Sequence, residues 1–112
     1  MNIIKNNSIE WLKGYGIDIQ RLTEKLGSNI ATPPVGLMLC KVKPQESAHL
    51  HQHEDKEMFI VLQGKAIVSN GVEEQHLDQH DLTYFPSEEQ HTIKNISTTD
   101  ELIYLSIYWI EG

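Results

Sequence analysis

Three of the chain's six histidines fall within five residues, at His49, His51 and His53, and Glu57 follows four positions after the last. In extended backbone, residues two apart project to one face. The three imidazoles would then line up, with Leu50 and Gln52 opposite. On the inward face of a half-buried strand an imidazole is costly unless it is paired or ligates something. Imidazole is also the commonest side-chain metal ligand. A polar turn, "EDK", precedes Glu57, so a returning strand brings its carboxylate beside the histidines. Glu57, Phe59 and Val61 would share that face, and Met58, Ile60 and Leu62 the other. Two imidazoles and a carboxylate from adjacent strands make a metal-ligand set. The competing reading is an exposed polar face; His76 and His80 are expected on the surface.

The elements that must position these groups are strands. "VGLMLCKV" is apolar and flanked by prolines; "EMFIVLQG" and "KAIVSNG" read as two strands joined near Gln63–Gly64. Asn70-Gly71 is a strong hairpin signal. "DLTYFP" and "HTIKNIS" follow, and "ELIYLSIYWI" is a long run of aromatic and β-branched residues. Many short strands with turn signals between them predict an all-β sandwich or barrel. The first thirty-odd residues are different. "SIEWLKGYG" reads as a short helix capped by Ser8. "GIDIQRL" alternates Ile17, Ile19 and Arg21 as a strand would, while "RLTEKLG" equally suits a last helical turn ending at Gly27. "TPP" at Thr32–Pro34 bars a helix there. The expected division is a 1–34 extension followed by a 35–112 barrel.

Composition narrows the function. At 112 residues the chain suits one domain with its own core. A net charge of −7, with no basic cluster, argues against nucleic acid. No apolar run reaches membrane-spanning length, and "MNIIKNNSIEW" lacks the apolar stretch of a secretory signal. A single cysteine, Cys40, excludes an internal disulfide framework and suits a reducing compartment. A cytoplasmic protein is expected, with neither membrane nor nucleic acid as partner. Cys40 shares a face with Met38 and Val42 and is expected to pack.

The spacing adds a resemblance. From His51 the chain reads His-x-His, three residues, Glu57, six residues, Gly64; further on, "FPSEEQHTIKN" places Pro86, His91 and Asn95. These resemble the first and second motifs of the cupin family. Starting the first motif at His49 loses both the glutamate and the glycine. The resemblance implies an all-β cupin fold, a double-stranded β-helix or jelly-roll barrel with a short N-terminal extension. It implies His51, His53, Glu57 and His91 as ligands of one divalent transition metal ion: zinc, iron, manganese or nickel. Three family glycines are replaced, by Gln45, His80 and Glu88, which puts the loop geometry there in question.

Cupin chemistry is diverse, so fold does not settle function. Three readings follow. In the first, a small metal-dependent enzyme acts on a small molecule of a specialised-metabolite pathway, with the ion as Lewis acid or oxygen-activating centre. In the second, a non-catalytic cupin binds or senses a small ligand. In the third, the metal only stabilises a barrel. The segment "ELIYLSIYWIEG" also resembles the zinc cupin domains of hydrazine synthetases, which form N–N bonds by rearranging an amino-acid ester of an N-hydroxylated amine. His49 is a candidate base beside the metal, or a rim residue. Phe59, Tyr84, Tyr104, Ser106 and Tyr108 are candidates to line the pocket. The apolar face of Met58, Ile60 and Leu62, with Trp11, Ile17 and Ile19 of the N-terminal segment, needs cover. A homodimer is expected.

Overall fold

The computed structural model describes residues 1–26 and 34–110. Among these residues nine strands form two antiparallel sheets: β1 (Leu12–Gly14), β2 (Ile17–Arg21), β3 (Gly36–Val42), β4 (Lys56–Gln63), β5 (Ala66–Ser69), β6 (Glu74–Leu77), β7 (Leu82–Phe85), β8 (Thr92–Asn95) and β9 (Leu102–Trp109). The large sheet runs β1-β2-β3-β9-β4-β7 and the small one β6-β5-β8. Among the described residues the only helical pieces are two 3-10 turns, Asn6–Ser8 and Thr23–Lys25. The architecture is an all-β jelly-roll barrel, within the all-β sandwich or barrel that the strand pattern predicts and of the form that the resemblance implies.

The period-two alternation decides which faces meet. On β4, Glu57, Phe59 and Val61 are buried, while Met58 and Ile60 are half-buried on the outside. On β9, Leu102, Tyr104 and Ser106 turn inward. They meet Met38, Cys40 and Val42 of β3 and, from the small sheet, Ala66, Val68 and Ile93. β9 lies between β3 and β4, so the apolar character of "ELIYLSIYWI" is what a central strand needs on both faces. The Asn70-Gly71 hairpin forms with a four-residue loop: Ser69 pairs with Glu74, and Asn70 Oδ1 accepts from the N–H groups of Val72 and Glu73.

The N-terminal segment departs from expectation. The residues read as a Ser8-capped helix form a 3-10 turn at Asn6–Ser8, in which Ser8 Oγ donates to Lys5 O, and then the hairpin β1–β2. Gly14 pairs with Ile17, so Tyr15 and Gly16 make a two-residue loop with φ of +56° and +79°. Positive φ at both positions marks a type I′ turn, whose twist suits a hairpin. Lys13 and Asp18 close it with a 2.8 Å ion pair. β2 pairs with β3 and buries Ile17 and Ile19 in the core, so residues before 35 belong to the same sheet as those after. The alternating Ile17, Ile19, Arg21 reading holds, and a 3-10 turn follows it. Gly27, Thr32 and Pro33 lie outside the described residues.

Candidate metal centre

The segment carrying the three histidines is not a regular strand. Only His51 pairs, in an isolated bridge with His91. His51 N–H donates to His91 O (3.2 Å) and His91 N–H to His51 O (2.9 Å). This two-bond bridge sets one histidine of the first motif opposite that of the second. His53 is held next door, where its carbonyl accepts from Glu88 N–H at 2.8 Å. Glu57 arrives at the start of β4, in register with Phe85 of β7 and Tyr108 of β9. His51, His53, Glu57 and His91 thereby offer four ligand atoms within 4.8 Å of one another. Glu57 and His91 are buried; His51 and His53 are half-buried.

Each imidazole is oriented through its Nδ1. His51 Nδ1 donates to His49 O (2.6 Å), His53 Nδ1 to Asp55 O (2.9 Å) and His91 Nδ1 to Glu89 O (2.9 Å). A carbonyl can only accept, so each Nδ1 carries the proton and each Nε2 keeps its lone pair. Two of those lone pairs meet the same carboxylate oxygen: Glu57 Oε1 lies 2.7 Å from His91 Nε2 and 3.2 Å from His53 Nε2. Neutral imidazoles would press lone pair against lone pair there. The arrangement becomes favourable when positive charge sits at the centre, as an extra ring proton or a cation. The donor set therefore fits a metal ion, and 4.8 Å is close to the roughly 4.2 Å that separates opposed ligands at ~2.1 Å bonds.

The surroundings hold these four side chains in place. Ser106 Oγ donates to Glu57 Oε2. Burial resists ionisation of Glu57, but positive charge at the cluster outweighs it: a His91 that carries the extra ring proton donates to the carboxylate, Ser106 donates as well, and charge on His91 and His53 attracts it, so the carboxyl is held below its ordinary value. Burial pushes His51 down as well, which favours the neutral, metal-binding form. Phe85 stacks on His91 (centroids 4.5 Å, planes 17° apart), and Tyr15 stacks on His51 (4.5 Å, 22°). The second-motif asparagine ties loops together instead of joining the cluster. Asn95 Nδ2 donates to Val42 O and Asp100 O, and its Oδ1 accepts from Ser97 N–H.

Not every expected residue reaches the site. His49 is exposed, and its ring lies against Gly16, where an added Cβ would fall 2.4 Å from Nε2. It contributes through its carbonyl, which orients His51, because the irregular backbone there breaks the i, i+2 alternation. Tyr84 faces outward at 47% exposure, in register with the outer-face Met58. Phe85 takes the inward place on β7. Phe59 and Tyr104 are buried against each other at 4.7 Å, behind the cluster. Tyr108 does line the cavity at the cluster's mouth, about 220 Å³ in volume. Its other walls are Tyr15, Arg21, Met38, Asp55 and the cluster residues His53 and Glu57. Tyr15 and Arg21, both from the N-terminal hairpin, were not expected there.

The replaced glycines also find an answer. Gln45, His80 and Glu88 adopt φ of +65°, +72° and +65°. The turns keep their left-handed geometry without glycine. Where glycine remains, at Gly64 with φ of +95°, a Cβ would lie 3.1 Å from Glu101 O.

Comparison with known proteins agrees with this geometry. The Cupin domain family model matches residues 38–108. No curated protein matches the sequence. Among solved structures, the chain is similar to a cupin 2 conserved barrel domain protein from Salinispora arenicola, with a TM-score of 0.84 at 20% identity, covering 97% of this chain and 88% of that one. The plu4264 protein of Photorhabdus luminescens gives 0.80 at 26% identity, covering 97% and 86%. A predicted oxalate decarboxylase of Thermotoga maritima gives 0.81 at 17% identity, covering 98% and 100%; at that identity the likeness concerns the fold alone. Among the described residues no helix is long and apolar enough to cross a membrane. With both histidine motifs brought together on a jelly-roll barrel and the family model spanning most of it, this chain belongs to the cupin family.

Proposed function

We propose that the protein is a metal-dependent enzyme acting on a small molecule, with His51, His53, Glu57 and His91 holding one divalent transition metal ion. One observation carries the reading. Three imidazoles are locked by backbone carbonyls so that their Nε2 lone pairs are available at one buried carboxylate. When bound, such an ion supplies a Lewis-acid or oxygen-activating centre. The chain does the rest: Ser106 fixes Glu57, Phe85 and Tyr15 fix His91 and His51, and the cavity admits one small ligand beside His53 and Glu57. That opening favours catalysis over a purely structural ion, which is usually closed off by its ligands. The narrower reading, ester rearrangement to an N–N bond, rests on the apolar β9 segment. Central placement in the sheet already accounts for that composition.

The test is elemental analysis of protein purified without a metal-binding tag, beside the His51→Ala/His91→Ala double variant. The expected result is about one equivalent of zinc, iron, manganese or nickel in the wild type and none in the variant, with circular dichroism confirming that the variant folds. Wild type that takes up no metal even after reconstitution would overturn the proposal. Cobalt substitution separates an open centre from a closed one. Visible bands that move on addition of azide support the enzyme reading, and bands that stay fixed favour a structural ion.

A further inference from the structure

Resting on the metal-site reading above, we propose that Arg21 binds the carboxylate of a small organic acid at the mouth of the cluster, with a second oxygen of that acid turned toward the histidines. Arg21 lies on the inward face of β2. It shares that face with the buried Ile17 and Ile19 and is in register with Met38, 5% exposed. Its side chain is 35% exposed, so the guanidinium sits at the open rim of that face, where an anion can displace the water that reaches it. Its protein partners are poor. Nη1 donates to Met38 Sδ at 3.3 Å, a weak acceptor. Nε lies 3.9 Å from Glu24 Oε1, a side chain 70% exposed. A guanidinium has five N–H donors. Among the described residues, then, most of this one's donors have no protein partner and are left to solvent or a ligand.

The cavity shows where that capacity points. Arg21 shares it with two metal-ligand candidates, His53 and Glu57, and with Tyr15 and Tyr108. Its volume, about 220 Å³, holds roughly seven waters at ~30 Å³ each. That is room for one molecule of about seven non-hydrogen atoms reaching from the guanidinium to the cluster. Charge favours an anion. Arg21 is the one permanently cationic side chain among the described lining residues, in a chain of net charge −7. Asp55 and Glu57 oppose it, and a divalent ion at the histidines leaves the lining net positive. A planar carboxylate matches the guanidinium fork in two parallel bonds. A free phosphate has no second arm to reach the cluster from the guanidinium. The ligand class is therefore a short 2-oxo or 2-hydroxy acid or a small dicarboxylate.

Calorimetric titration of the zinc-loaded protein with 2-oxobutyrate and with its neutral amide, 2-oxobutanamide, tests this. Wild type should bind the acid at least roughly tenfold more tightly than the amide, the scale expected for a charged hydrogen-bonded pair. Arg21→Gln should abolish the preference and Arg21→Lys restore part of it, with the zinc content of both variants unchanged. A preference that survives in Arg21→Gln would overturn the proposal. So would a wild type that binds none of 2-oxobutyrate, lactate and malonate. If the wild type takes up no metal, the metal reading fails separately. The same acid-against-amide comparison on metal-free protein still decides Arg21: a preference that vanishes in Arg21→Gln supports it, and no preference in wild type overturns it.

Discussion

Replacing Glu88 by glycine should stabilise the protein. At φ of +65° Glu88 holds a conformation in which an L side chain costs about 1–2 kcal/mol. Glycine removes that cost but returns roughly 0.4–1 kcal/mol through the freedom it gains in the unfolded chain. The Glu88 side chain is exposed, and its backbone bond to His53 O survives the change. The net gain should be about 0.5–1 kcal/mol. For a chain of this length that raises Tm by roughly 2–6 °C. His80, at +72°, should gain less, because histidine tolerates the left-handed region better than glutamate does. Gln45 is the internal control. Its side-chain amide donates to Ile96 O (3.0 Å) and Ser97 O (3.1 Å). Two lost hydrogen bonds, each about 0.5–1.5 kcal/mol, offset the relieved backbone. Gln45→Gly should therefore be neutral or destabilising. Urea and thermal unfolding of the three metal-free variants, in chelator at one pH, give the ranking. A destabilised Glu88→Gly, or a Gln45→Gly as stabilised as Glu88→Gly, would refute the argument.

Three further outcomes are expected. Ser106→Ala should weaken metal affinity by about 10–100-fold without abolishing it, since it removes the hydroxyl that steadies Glu57; competition with a coloured chelator measures this. Cys40, whose thiol burial pushes up to about 12, should resist a thiol reagent in the native protein and react promptly once the chain is unfolded. We expect a homodimer through the outer face of the large sheet, where Tyr84, Met58, Ile107 and Leu37 form one cross-strand row and Leu82, Ile60, Leu105 and Leu39 a second; light scattering that gives the mass of one chain would refute it.

The barrel was legible because alternation and turn residues agree from Val35 onward. Tyr84 shows the limit of that legibility. In "DLTYFP" both alternating sets are largely apolar, so the inward one is set only by register, which places Phe85 against Glu57. The grouping of His51, His53, Glu57 and His91 was legible through spacing, but not its construction. The bridge between His51 and His91 joins segments forty residues apart and leaves no local signal. The N-terminal hairpin was missed because its turn uses tyrosine where asparagine or glycine would have announced it. Arg21 was placed on the face of Ile17 and Ile19, yet nothing in the sequence ties that face to the histidines. Only the pairing of β2 with β3 does so.

The central position of β9 has a consequence in time. β3 and β4 are made well before β9, yet each pairs with it along nearly its whole length, and they do not pair with each other. While the chain emerges from the ribosome, both must wait with hydrogen-bonding edges open, and open edges invite foreign strands. The barrel cannot close until the last strand slides between them. Slow translation or a late truncation should then show up as aggregation in the cell rather than as a folded protein of reduced activity.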